Sequence, residues 1–120
     1  MSLAAYQRVA QVTETPRQTE YRLLGDVCRE LTEVAGEEPT STRRREALHW
    51  NRRVWMTFAV ESARADNPME AALKARIVSL GMWVYRYTDD AMWKEADIQP
   101  LIDVNLAIIK GLMGKTAEAA

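Results

Sequence analysis

One cysteine and one histidine are too few for most of the chemistry that small domains draw from sulfur, imidazole or metal. Cys28 has no second thiol in the chain, so an internal disulfide is impossible and a reducing compartment is the expectation. Cys28 and His49 together cannot supply the four ligands of a tetrahedral zinc site. An excess of charge is missing as well. Sixteen Lys and Arg stand against 17 Asp and Glu, a net charge of −1 that gives no electrostatic reason to seek nucleic acid or an anionic membrane. No long hydrophobic run is present either: in the most apolar region the charge-free stretch covers only residues 77–85, well short of the ~20 residues that cross a bilayer. The opening Met1-Ser2-Leu3-Ala4-Ala5-Tyr6-Gln7-Arg8 has neither the basic start nor the apolar block of a secretory signal, so a cytoplasmic protein without membrane contact is expected.

Catalytic signatures are absent too. There is no Gly-x-Ser-x-Gly, no glycine-rich phosphate loop and no Cys/His nucleophile pair. Glu37-Glu38 and Asp89-Asp90 are sequence neighbours, and neighbouring helical residues do not share a face. The expectation is a non-enzyme with no metal and no cofactor.

Glycine (5) and proline (4) are scarce, and proline falls where helices begin. Thr15-Pro16-Arg17-Gln18 places an N-cap threonine, a proline at the first helical position and a glutamine at the third, the pattern of a capping box. Asn67-Pro68-Met69-Glu70 repeats that grammar, and Pro100 follows Asp97-Ile98-Gln99. Five helices are predicted, at residues 3–12, 16–35, 43–65, 68–95 and 100–113, with a loop at 36–41 and a frayed tail at 114–120. No segment alternates with period two, so no sheet is expected.

Apolar residues recur at helical spacing on each long helix: Tyr21, Leu24, Cys28, Leu31 and Ala35; Leu48, Trp55 and Phe58; Leu73, Ile77, Leu80, Val84 and Tyr87; Ile98, Leu101, Ile108 and Leu112. At 48% hydrophobic and 28% charged residues, the composition suits one ordinary globular domain over 1–120. The architecture expected is all-α, an antiparallel bundle of five helices.

Two asparagines interrupt these stripes. Asn51 lies between Leu48 and Trp55, and Asn105 between Leu101 and Ile108. A buried amide left unpartnered costs roughly 1–3 kcal/mol, so each is expected to find hydrogen bonds inside the bundle and fix helix register. The helix at 68–95 carries a second apolar surface nearly opposite its core stripe: Val78, Met82, Tyr85, Met92 and Trp93. Either the short first helix covers it from a central position, through Tyr6, Val9 and Ala10, or it receives an amphipathic helix of a partner. Trp50 and Arg53 form a second candidate shoulder, tryptophan being common at interface hot spots. Arg43-Arg44-Arg45, followed by Arg52 and Arg53, is the one basic cluster. It reads as a solvated helix start that needs an acidic contact, because cations oppose the dipole there, rather than as a direct nucleic-acid site.

Four strings then resemble, in order, the bacterial flagellar biosynthesis regulator family FlaF. They are Thr15-Pro16-Arg17-Gln18-Thr19-Glu20-Tyr21-Arg22-Leu23, Trp50-Asn51-Arg52-Arg53-Val54-Trp55, Ile77-Val78-Ser79-Leu80-Gly81 and Pro100-Leu101-Ile102-Asp103-Val104-Asn105, preceded by Ala5-Tyr6-Gln7. Gln18 stands where the family pattern leads one to expect Glu, and it keeps the capping-box chemistry. The resemblance implies a post-transcriptional role in flagellin production and secretion, engagement of flagellin itself, and a partner regulator, FlbT, that opposes it at the flagellin message. It brings no catalytic residues. A chaperone-like flagellin binder is the leading expectation. A translational regulator associated with the flagellin transcript, directly or through FlbT, is the alternative.

Overall fold

The computed structural model describes residues 15–119, which form four helices: α1 (Pro16–Val34), α2 (Thr42–Ala63), α3 (Ala71–Trp93) and α4 (Gln99–Ala119). Among the described residues there is no strand. The helix expected at 3–12, with Tyr6, Val9 and Ala10, lies outside them.

The start of α1 follows the sequence pattern. The Thr15 hydroxyl accepts from the Gln18 N–H at 3.1 Å, and the Gln18 side chain accepts from the Thr15 N–H at 3.0 Å. Two of the orphan donors at the helix start are thereby satisfied. Ser41 caps α2 by accepting from the Arg44 N–H at 3.2 Å.

The second proline box behaves differently. The Asn67 side chain accepts from the Met69 N–H at 2.9 Å and donates to the Glu61 carbonyl at 3.1 Å. Those bonds make an Asx turn that closes the end of α2 and draws Met69 into the core, so α3 begins at Ala71 rather than Pro68. Its N-cap, Glu70, makes no side-chain capping bond. At the other end, α4 starts at Gln99 and runs past the expected 113 to Ala119.

The core is built from Leu24, Val27 and Leu31 of α1, Leu48, Trp55 and Phe58 of α2, Ile77 and Val84 of α3, and Ile98, Leu101 and Ile108 around α4. Val34 is fully buried and Ala35 exposed, so the α1 stripe ends one residue earlier than expected. Leu73, Leu80 and Tyr87 are only partly buried and pack against the core. The main packings are α2 on α3, α1 on α2 and α1 on α4. In the last of these, the Cys28 thiol sits 3.9 Å from the Ile102 carbonyl across 74 residues of chain.

Both asparagines are fully buried, in line with the sequence reading. The Asn105 amide donates to the Asn51 carbonyl oxygen at 2.8 Å, and the Trp55 indole N–H donates to the Asn105 carbonyl oxygen at 2.6 Å. This chain of polar contacts ties α2 to α4 in one register, since a slip of one residue would leave three polar groups stranded in apolar surroundings.

Candidate partner-binding surface

Helices α2 and α3 approach closely at Gly81, where a Cβ would stand 3.0 Å from the Ala59 Cβ and 3.8 Å from the Trp55 ring. The absence of a side chain there sets the separation of the pair. Contacts then step in opposite directions along the two helices. Ala59 lies against Gly81, Arg52 bonds Asp89 at 3.0 Å, and the Arg45 guanidinium lies 5.2 Å from the centre of the Trp93 ring. The two helices therefore run antiparallel.

On the solvent side of this seam lies a strip of large apolar side chains. Met82 is 55% exposed, Tyr85 49%, Trp93 66% and Val60 61%, and Met56 joins them at the margin. Met56, Met82, Tyr85 and Arg86 enclose a shallow groove of about 220 Å³. A monomer gains nothing by leaving such residues clustered and wet, which is why clusters of this kind mark contact sites. Methionine adapts to varied partners, and tyrosine gives large contact area at small entropy cost.

Of the residues singled out in sequence, Met82, Tyr85 and Trp93 do share this surface, with Val78 half-buried beside it. Met92 does not. It is 3% exposed and belongs to the core. The core stripe of α3 runs through Ile77, Gly81, Val84, Thr88, Ala91 and Met92, and Met92 continues that helical phase. Met56 and Val60 of α2 were missed. Their four-residue spacing opposite the α2 core stripe was the available signal.

Cations partly cover the strip's far end. Arg52 lies 5.3 Å from the centre of the Tyr85 ring while pairing with Asp89, and Arg45 stacks over Trp93. Contacts of this kind hold aromatic rings in place at a surface and contribute about 0.5–1 kcal/mol each. The Arg45 Nε is itself buried and has no hydrogen-bond partner among the described residues.

Trp50 and Arg53 lie elsewhere, between α1 and α2. With Leu23, Val54 and Phe58 they line a second shallow groove of about 250 Å³. The structure thus sets Met82, Tyr85 and Trp93 on one surface, Trp50 and Arg53 on another, and Met92 in the core.

The basic cluster is not a solvated block. Arg43 is exposed but held by Glu30 at 2.9 Å and Glu33 at 2.6 Å, with Glu37 at 3.8 Å. Those carboxylates supply the expected acidic contact, and Glu30 first, with Glu33, pushes the Arg43 pKa further up. Arg44 is 4% exposed and donates to the carbonyls of Ala91 at 2.8 Å and Ala96 at 3.1 Å. It thereby satisfies the carbonyl end of α3, where Glu95 (φ 58°) turns the chain out of the helix.

Among the described residues no helix is long and apolar enough to cross a membrane. The family model described as flagellar protein FlaF matches residues 2–112. No curated protein and no solved structure matches the chain.

Proposed function

Because the chain belongs to the FlaF flagellar protein family, we propose that it acts in the cytoplasm on flagellin production and secretion, as a chaperone-like protein that holds a flagellin helix. It does so by binding and not by catalysis. The observation that carries this reading is the α2–α3 strip, where Met82, Tyr85, Val60 and Met56 stand exposed together along two helices. An amphipathic helix presents anchors at i, i+3, i+4 and i+7, and a shallow seam between two helices receives that spacing. A flagellin chain awaiting export must keep its apolar helical faces from one another, and a transient cover on such a strip meets that need.

The alternative, direct regulation through the transcript, would draw on the arginine cluster. Two of its first three members are already committed, Arg43 to carboxylates and Arg44 to buried carbonyls, so few phosphate contacts remain available there.

Retention of flagellin on immobilised protein tests the reading. Met82→Asp and Tyr85→Asp should abolish retention while circular dichroism and melting stay close to the parent, because both side chains are about half exposed. Well-folded variants that retain flagellin normally would remove the strip from the function.

A further inference from the structure

The strip is not electrically neutral, although the chain as a whole carries −1. Three arginines lie against it, Arg45 over Trp93, Arg52 over Tyr85 and Arg86 at the groove, and Asp89 pairs with one of them. Only Arg52 is spent in an ion pair, with Asp89. Arg45 is stacked on Trp93, and Arg86, at the rim of the groove, makes no ion pair among the described residues. Arg86 lines the groove beside Met56 and Met82, whereas Arg52 and Arg45 lie against Tyr85 and Trp93. From Arg45 to Val60 the strip spans about 22 Å along α2, roughly four helical turns.

We infer that this surface docks an amphipathic helix of about four turns whose apolar face is flanked by acidic residues, which lie over Arg86, Arg52 and Arg45. The inference rests on the proposed function for the location of the site, and adds to it the charge of what is bound. An acidic flank meets Arg86 and Arg45 without displacing any existing ion pair. A basic flank faces uncompensated positive charge in partly desolvated surroundings. The arrangement supplies specificity, because apolar contact alone would accept a helix of either charge.

The test uses the full chain and three synthetic helical peptides of about 18 residues with one shared apolar face and Glu, Gln or Lys on the flanks. Two or three exposed charge pairs should favour the Glu peptide over the Lys peptide by roughly tenfold at low salt, a gap that closes at high salt. Arg86→Glu, a change at an exposed position, should narrow that preference severalfold. Met82→Asp should weaken all three peptides. Equal affinities, or tightest binding of the Lys peptide, would overturn the inference. So would tight, salt-sensitive binding of a single-stranded RNA oligonucleotide that Arg86→Glu abolishes, which would assign the cations to nucleic acid. Flagellin retention measured in parallel separates the two claims. Normal retention by Arg86→Glu with loss in Met82→Asp sinks the charge inference and leaves the flagellin reading standing. Normal retention by Met82→Asp, with the peptide preference intact, does the reverse.

Discussion

Replacing Arg44 by methionine keeps an unbranched stem of similar reach and removes the guanidinium. Its carbonyl partners, Ala91 and Ala96, sit at the end of α3 where no intrahelical N–H is available to take over. A buried acceptor left unpaired costs about 1–3 kcal/mol, and hydrogen bonds from a charged donor lie at the upper end of that range. Against this stands the desolvation penalty of the guanidinium, several kcal/mol of which is recovered when a neutral side chain replaces it. Favourable interaction of the cation with the carbonyl end of the helix is also lost, up to about 2 kcal/mol in partly buried sites. The balance is a destabilisation of roughly 2–4 kcal/mol, or a fall in Tm of about 10 °C for a domain of this size. Urea unfolding followed by tryptophan fluorescence measures it directly. Arg44→Lys should recover about half, since one ammonium on a shorter reach serves one carbonyl well and not two. Arg43→Gln, one residue away but exposed, should lose far less. A loss below about 1 kcal/mol for Arg44→Met, or equal losses at the two positions, would refute the assignment of Arg44 as the cap of α3.

Asn105→Leu should destabilise by about 2–4 kcal/mol, because it strands the Trp55 indole N–H and the Asn51 oxygen together. A double-mutant cycle with Asn51→Leu should show strong non-additivity, and additive losses would mean the two amides act separately. Burial first, and the Asp103 carboxylate second, push the Cys28 thiol above its ordinary value. The folded state therefore favours the neutral thiol, a contribution present below the unfolded thiol's pKa and lost as pH rises through the folded one. Stability should fall in the alkaline range, less so in Cys28→Ala, and thiol reagents should label the native chain much more slowly than the urea-unfolded one.

The legible parts of the sequence were those where residue type and helical phase agreed. Thr15 and Gln18 had no competing use, so their capping box formed as written. Asn51 and Asn105 sat in phase with buried neighbours, and their chemistry demanded a partner, so each found the other. Where type and phase disagreed, phase won. Arg44 is in step with Leu48, Asn51 and Trp55, which places it inside whatever its charge, and the reading of a solvated cluster followed its letter instead. Met92 was assigned outward because the small residues Gly81, Thr88 and Ala91 concealed the true stripe of α3. Asn67 had the letters of a cap but a nearer task, since the Glu61 carbonyl at the end of α2 lay within reach of its amide. The strip itself was half visible. Its α3 side stood out in one helix, and its α2 side appears only once Gly81 brings the two together.

The pairing of α1 with α4 joins segments that leave the ribosome far apart in time. A ribosome releases α1, α2 and α3 in turn, and the antiparallel α2–α3 hairpin, local in sequence, can assemble as soon as it emerges. The face of α1 that meets α4 must wait, with the Ile102 carbonyl 74 residues downstream of Cys28. Until Asn105 arrives, the Trp55 indole has no acceptor and the central helix has no fixed register. A nascent or prematurely terminated chain thus exposes the α2–α3 strip before it has a closed core, and it is open to proteolysis throughout that interval. Adding α4 is the step that turns a degradable hairpin pair into a lasting core.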